Sequence, residues 1–131
     1  MQKLFVAGVL FASVSNLCYA DLMKDLRWKN RIIIAEQAKF DQGRFDDVKE
    51  GIVDRDLVYF VLVDGELHTN HKLPLDADAK GRIAKLMKGE KAKVLLIGKD
   101  GGVKMRAEKM DFNKIFALID TMPMRKREMR Q

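Results

Sequence analysis

Cysteine, proline and glycine are scarce in this sequence, and each scarcity excludes a class of protein. The 131 residues include one cysteine, two prolines and nine glycines. A single cysteine excludes a disulfide framework within the chain and a metal site built from several cysteines. So few prolines and glycines exclude low-complexity linkers and fibrous repeats. With 47% hydrophobic and 34% charged residues, the composition is that of one ordinary globular domain.

The familiar sequence motifs of catalysis are also missing. There is no nucleophile elbow, phosphate-binding loop, paired zinc motif or dinucleotide fingerprint. The glycines of Gly98–Gly102 join two predicted strands, so they cannot place the amino terminus of a helix against a phosphate. We therefore predict no cofactor, and the motif content weighs against an enzyme without deciding the question.

The first twenty residues, Met1–Ala20, have the features of a secretory signal peptide. Lys3 supplies a positive start, Leu4–Val14 is apolar, and Cys18 and Ala20 place small residues before the cut. We expect cleavage after Ala20, with an uncleaved anchor as the alternative. The mature protein would then be exported to the periplasm or secreted, would contain no cysteine, and would have no transmembrane segment.

Four segments of the mature chain are predicted strands. Arg31–Ala35, Leu57–Val63 and Val94–Ile97 are continuous apolar runs, typical of strands buried on both faces. Val103–Ala107 alternates apolar and basic residues, which indicates one solvent-exposed face. Lys99–Gly102 contains an Asp-Gly turn signal, so the last two strands are predicted to form a hairpin.

Three amphipathic helices are predicted between and after these strands. Their apolar faces are Phe45, Val48 and Ile52; Ala79, Ile83, Leu86 and Met87; and Phe112, Ile115, Phe116 and Ile119. Pro123 ends the last helix, which leaves a basic tail over residues 123–131. Glu66–Leu75, which contains both histidines, is interpreted as a polar connection.

The predicted order is β-α-β-α-β-β-α, in a single domain over residues 21–131. The first two strands are joined through a helix and should be parallel. This order predicts an α/β, thioredoxin-like fold: a four-stranded mixed sheet with helices on both faces. A ferredoxin-like fold is the main rival, but it would require a strand at the end of the chain.

Four segments together resemble domain of unknown function 4174, a family of small exported bacterial proteins. They are Leu26–Arg31, Asp54–Leu57, Leu96–Lys104 and Ile119–Arg125. The family is similar to a peroxiredoxin-like domain in extracellular sushi-repeat proteins of animals. The resemblance covers nearly all of the mature chain and implies export and a thioredoxin-like fold. It implies no activity and no catalytic residue.

The chain departs from the redox proteins that share this fold. Thioredoxins carry Cys-x-x-Cys after their first strand, where this chain has Glu36–Lys39, and peroxiredoxins need a cysteine in the same loop. Thioredoxins also place a cis-proline before their third strand, and Glu90–Lys93 contains no proline. An oxidoreductase of either type is therefore a disfavoured alternative, because the fold alone does not supply the chemistry.

The predicted topology brings many charged residues to one pole, opposite the position of a thioredoxin active site. They are Arg31, Asp54, Arg55, Asp56, Lys99, Asp100, Asp120, Arg125 and Arg127. As a binding site, the arginines and Lys99 would hold an anion or an acidic protein surface, and we expect a non-catalytic binding or interaction module. As a structural network, Arg55 or Arg125 would pair with Asp120 or Asp100. We favour the structural interpretation of these residues.

Other candidates are weaker. His68 and His71 offer two imidazoles three residues apart, the basis of a second alternative, a metal-binding module. Two histidines without a defined third ligand are more often part of an ordinary loop, so no metal site is predicted. Trp28 and Phe112 are predicted to anchor the core.

The net charge of +6 is unevenly distributed. Acidic residues predominate in residues 36–66, and basic residues predominate in residues 80–109 and 125–130. This asymmetry is most simply a solvated basic face, and it also suggests an anionic partner or a head-to-tail contact between chains. Nucleic acid is disfavoured because an exported protein meets little of it, whereas anionic lipid headgroups are accessible. Any membrane contact should be electrostatic, since the tail lacks the apolar residues of an insertion helix.

The signal-peptide interpretation predicts the mass of the exported protein. Expression in a bacterium should give an envelope form that begins at Asp21, because signal peptidase cuts after small residues such as Ala20. Intact-mass spectrometry and thiol titration of that form should show the loss of residues 1–20 and no free thiol. Retention of Cys18 in the exported protein would contradict the prediction.

Overall fold

The computed structural model describes residues 24–72 and 77–131. The predicted signal peptide lies outside the described residues. Within these ranges the chain is a mixed α/β domain. The strands are β1 Arg31–Glu36, β2 Leu57–Val63, β3 Glu66–Thr69, β4 Val94–Ile97 and β5 Val103–Ala107. The helices are α1 Gln42–Asp47, α2 Lys49–Asp54, α3 Ala77–Lys88, α4 Phe112–Asp120 and α5 Pro123–Met129.

The strands form one mixed sheet with the order β3-β2-β1-β4-β5. The predicted parallel pairing of β1 with β2 is confirmed, and Ile33 lies opposite Tyr59 on β2 and Leu96 on β4. The predicted hairpin between β4 and β5 is also confirmed. β1 is therefore the central strand, and its alternate residues Ile33 and Ile34 enter the cores on opposite faces of the sheet, which explains its uninterrupted apolar sequence.

The sheet has five strands in the described residues, so the prediction of four is wrong. β3 lies in the segment that was interpreted as a polar connection, and it pairs antiparallel with the end of β2. Asp64 and Gly65 both adopt positive φ angles, 50° and 79°, which is the geometry of a tight two-residue hairpin turn. Because β3 is a short edge strand, its composition stays polar and gives no apolar run.

Two helix predictions also need correction. The helix expected around Phe45 and Ile52 is split into α1 and α2, because Val48 between them leaves helical geometry, with a ψ of 14°. The basic tail is itself a helix, α5, in which Pro123 occupies the first turn. Proline is well tolerated there, since the first N–H groups of a helix have no intrahelical acceptor.

Apolar side chains cover both faces of the sheet, and helices pack on each face as predicted. On one face α1, α2 and α4 contribute Phe45, Ile52 and Ile115 to the core. On the other face α3 contributes Ile83 and Met87. The sheet lies between the two helical layers, and many of its residues are fully buried. Such close packing holds the residues at the strand ends in fixed positions.

Of the two predicted core anchors, Phe112 is buried but Trp28 is 59% exposed. The Trp28 backbone lies in the left-handed region, with φ of 69°, and its N–H donates to the Lys99 carbonyl over 2.6 Å. This geometry directs the indole outward, while Leu26 takes the core position in the same segment. The prediction for Trp28 is therefore wrong.

Candidate functional site

One edge of the sheet collects most of the charged residues that the sequence singled out. We call it the basal edge; β1 and β2 begin there, and β4 ends there. Arg31 is the first residue of β1, Asp56 directly precedes β2, and Lys99 follows β4. The helices α2 and α4 end at Asp54 and Asp120. The predicted convergence on one pole is therefore present in the fold.

Arg31 is the most deeply buried charge at the basal edge, with 1% of its surface exposed. Its two terminal nitrogens donate to the two carboxylate oxygens of Glu128 on α5, each over 3.2 Å. Nη1 also donates to the Arg55 carbonyl at 3.0 Å, and Nε has no partner among the described residues. Glu128 is thus the counterion of this guanidinium, in a bidentate pair.

Lys99 joins the same carboxylate. Its Nζ donates to Glu128 over 2.8 Å and to Asp56 over 2.9 Å, and its side chain is almost fully buried. Burial of an ammonium group is costly unless it is paired, and here two carboxylates satisfy it. The end of β4 is in this way attached to both α5 and the start of β2.

Arg125 connects α5 with the two helices that end at the basal edge. Its Nε donates to Asp120 over 3.0 Å, its Nη1 donates to the Asp54 carbonyl, and its Nη2 pairs with the Asp54 carboxylate. The carbonyl of Asp54 is one of the last in α2, so Arg125 also satisfies a helix end. This side chain is buried, as a structural crosslink requires.

Arg55 forms a second bidentate pair with Asp120, over 3.2 and 2.9 Å. Its guanidinium stacks on the ring of Phe116, 4.2 Å from the ring centre. A Cβ atom at Gly51 would lie only 2.6 Å from that ring. The close approach of Phe116 therefore requires a glycine at position 51.

Together these contacts form what we call the ion-pair network. Within the described residues it contains four cations and four carboxylates: Arg31, Arg55, Lys99, Arg125, Asp54, Asp56, Asp120 and Glu128. Its formal charge is zero, and every cation in it has a carboxylate partner. This saturation favours the structural interpretation over capture of an anion by these side chains.

Two predicted members of the pole lie outside the network. Asp100 pairs with Lys104 over 2.8 Å and accepts from the Gly102 N–H, so it organises the β4–β5 turn. Arg127 is exposed, and no hydrogen bond or ion pair of its side chain occurs within the described part of the chain. Glu128 was not among the residues predicted from the sequence, where the available signal was its i,i+3 spacing from Arg125 after Pro123.

The network shifts the acidity of its carboxylates. Hydrogen bonds from Arg55 lower the pKa of Asp120 most strongly, against the effect of burial. Burial raises the pKa of Glu128, but hydrogen bonds and charges from Arg31 and Lys99 outweigh it, so that the pKa is lowered. Both groups are therefore held as carboxylates at neutral pH.

The surface of the basal edge also carries exposed residues outside the ion-pair network, whose carboxylates Asp54 and Asp56 are themselves 64% and 49% exposed. The large hydrophobic residues exposed in the described ranges are Trp28, Val53 and Met129, and each is close in sequence to a residue of this edge. Five exposed cations occur in the segments that contain Trp28 and Met129. We call this set the basal surface: Arg27, Trp28, Lys29, Val53, Lys126, Arg127, Met129 and Arg130.

The opposite end of the sheet has an open cleft of about 1090 Å³. The loop Glu36–Lys39, which begins at the last residue of β1, lines it. Asp41 and Asp111, also in the lining, cap α1 and α4 by accepting from backbone N–H groups. Lys93 pairs with Glu36 over 3.4 Å. The cleft combines charges of both signs, without a thiol.

The two histidines contact opposite faces of the sheet. His68 stacks on Phe40, with ring centres 4.2 Å apart, whereas the His71 ring lies 6.2 Å from Phe60. Phe40 packs on the face of α4, and Phe60 packs on the face of α3. In the described residues no group of three or more histidine, cysteine, aspartate or glutamate side chains could hold a metal ion.

Comparison with known proteins gives one family. The family model described as Domain of unknown function (DUF4174) matches residues 22–128. No curated protein matches the chain, and no solved structure matches it. In residues 24–72 and 77–131, no helix combines the length and apolar character needed to cross a bilayer.

The lowered pKa of Glu128 predicts a pH-dependent loss of stability. At pH 7, Glu128→Gln should lower the free energy of unfolding by about 2–4 kcal/mol, because Arg31 loses its counterion while it stays buried. Folding lowers this pKa below its ordinary value of 4.5. The contribution is therefore complete above pH 4.5 and disappears as the pH falls through the lower, folded value.

Urea denaturation of wild type and variant at pH 7 and pH 3 measures this difference. It should be smaller at pH 3, because the contribution of ionised Glu128 begins to be lost once the pH falls below the ordinary value of 4.5. Glu108→Gln, at an exposed position, is the matched control and should change stability by less than about 0.5 kcal/mol at both pH values. An equal effect of Glu128→Gln at both pH values would contradict the assignment.

Proposed function

The chain belongs to the DUF4174 family, and we propose that it is an exported, thioredoxin-like domain that binds a partner and does not catalyse a reaction. The partner contacts the basal surface, while the ion-pair network beneath holds that surface together. The observation that carries the proposal is the coincidence of exposed hydrophobic residues and exposed cations at one edge of the sheet.

The sheet order supports a thioredoxin-like fold. Without β3, the strand order is β2-β1-β4-β5. This four-stranded mixed sheet contains the two pairings expected from the sequence, a parallel β1–β2 pair and a β4–β5 hairpin. α3 packs on one face, and α1, α2 and α4 pack on the other. β3 is then an added edge strand.

The loop after β1 supports the non-catalytic part of the proposal. Glu36–Lys39 lines the cleft where a redox protein of this fold would hold a cysteine. The sole cysteine of the chain, Cys18, lies in the predicted signal peptide. A thiolate is the nucleophile of thioredoxin and peroxiredoxin chemistry, so the exported form has the scaffold without the reacting group.

The arrangement at the basal edge supports an interaction surface. Exposed apolar residues that occur singly need no explanation, but a group at one edge marks a contact site. The ion-pair network at this edge is neutral, because its carboxylates pair with its own cations. Those carboxylates therefore do not neutralise the exposed cations of the basal surface. The basal surface therefore combines an excess of positive charge with apolar contact area.

The redox alternative predicts turnover, and the proposal predicts none. The exported protein should not accelerate consumption of hydrogen peroxide by dithiothreitol, or reduction of insulin disulfides, above the rate without protein. The same result is expected for Cys18→Ser, since the cysteine is removed with the signal peptide. Turnover that rises with the concentration of the wild-type protein would contradict the proposal, and its loss in Cys18→Ser would assign the activity to a retained cysteine.

The interaction function predicts retention on the cell envelope through the basal surface. A tagged exported protein should bind an envelope fraction at low salt and be released at high salt, because charges of opposite sign are screened. The triple variant Lys126→Gln, Arg127→Gln, Arg130→Gln should lower the bound fraction at least about tenfold.

A triple variant at other exposed lysines is the matched control. Lys80→Gln, Lys88→Gln, Lys91→Gln removes the same charge from α3 and the loop after it. It should be retained like the wild type. An equal loss in both triple variants would show attraction by overall charge only and would overturn the proposal.

A further inference from the structure

We infer that the basal surface docks on an anionic lipid bilayer, which would make this domain a peripheral membrane protein. The inference rests on the proposed interaction function and names its partner. Three observations support it: the placement of α5 across the basal edge, the exposed position of Trp28, and the contrast between the neutral ion-pair network and the positively charged basal surface.

α5 lies flat across the ends of the strands. Its first turn contacts the end of α2 through Arg125 and Asp54. Its last turn contacts the start of β1 and the end of β4, through the pairs of Glu128 with Arg31 and Lys99. Two inward contacts at opposite ends of a seven-residue helix fix which of its faces points outward.

The outward face of α5 is basic. Lys126, Arg127 and Arg130 are exposed, while Arg125 is buried beneath them. Their spacing places all three on one side of the helix. A short basic helix that lies parallel to the protein surface presents its cations in one plane, which matches a planar array of anionic headgroups.

Trp28 extends this surface beyond α5. Its N–H donates to the carbonyl of Lys99, the residue whose Nζ binds Glu128 on α5. Arg27 lies 5.4 Å from the indole ring and donates from Nε to the Asp100 carbonyl over 3.1 Å. These contacts place the Arg-Trp-Lys segment beside the carboxyl end of α5.

The left-handed backbone of Trp28 is unusual for a large side chain, and such geometry concentrates at functional positions. With a φ of 69°, the residue is held against its preference with its ring 59% exposed. An exposed tryptophan between Arg27 and Lys29 is typical of the membrane interface, where an amphipathic ring sits among headgroups and cations pair with phosphates.

The composition of the basal surface favours a bilayer over an acidic protein as the partner. Val53 is exposed and lines a cavity together with Asn30 and Asp56. Trp28 is exposed two residues before Asn30, so apolar side chains accompany the cations. A lipid surface offers anions and an apolar layer at once. The exposed acids near this surface are Asp25, Asp54 and Asp56. Asp54 and Asp56 are paired with buried cations of the ion-pair network, so the five exposed cations leave an excess of positive charge. Binding should be shallow and salt-dependent.

Trp28 is the only tryptophan of the chain, so its fluorescence reports directly on docking. The exported protein is titrated with vesicles of phosphatidylcholine alone and of phosphatidylcholine mixed with phosphatidylglycerol. With the anionic vesicles at low salt, the emission should shift to the blue and the protein should sediment with the lipid. High salt should reverse both changes, and phosphatidylcholine alone should cause neither.

Variants distinguish docking through the basal surface from attraction of the whole protein to the vesicles by its net positive charge. Lys126→Gln, Arg127→Gln, Arg130→Gln should lower the partition coefficient on the order of a hundredfold, because each cation near an anionic bilayer contributes about a factor of five. The control triple at Lys80, Lys88 and Lys91 should partition like the wild type. Trp28→Asn should weaken sedimentation without loss of fold, since asparagine tolerates the left-handed conformation well.

Two results would overturn the inference. One is an equal effect of both triple variants on vesicle binding. The other is that anionic vesicles neither shift the emission nor sediment the protein; a shift caused by polyglutamate would then identify an acidic protein partner. In the second case retention on the envelope would still depend on the basal surface, so the proposed function would stand. If that retention is absent as well, both fail.

Discussion

The fold is organised around one buried guanidinium. Arg31 starts the central strand and is 1% exposed, and a charge taken out of water at such a position requires a counterion at close range. The bidentate carboxylate of Glu128 supplies it from the far end of the chain. Because Lys99 shares that carboxylate, the same contact determines where α5 lies and which of its faces is exposed.

Because the pairing with Arg31 fixes the orientation of α5, residues that are adjacent in its sequence have different roles. Arg125 and Glu128 point inward and complete a neutral network, so their charges are balanced within the protein. Lys126 and Arg127 are exposed between them and can meet a partner. A structural role for the inner residues and a contact role for the outer ones are therefore compatible. A substitution at an inner position should affect stability first, and binding only as a consequence.

Elements that are determined by neighbouring residues could be predicted from the sequence, whereas elements that depend on contacts with distant residues could not. The apolar run at Ile32–Ile34 and the periodicity of α4 are local signals, and both elements were predicted correctly. β3 was missed because an edge strand can stay polar, and α5 was missed because its position depends on pairing with Arg31, about 100 residues earlier in the chain. The exposure of Trp28 follows from a backbone contact with Lys99 that composition cannot show.

The central claim is that Glu128 fixes α5 on the basal edge through Arg31. Amide hydrogen–deuterium exchange measures it most directly, at pH 7, in wild type and Glu128→Gln. The account predicts that residues 123–129 are protected in the wild type to an extent similar to α4, and that the substitution removes this protection while α4 and β1 keep theirs. Rapid exchange of residues 123–129 in the wild type, or protection unchanged by the substitution, would contradict it.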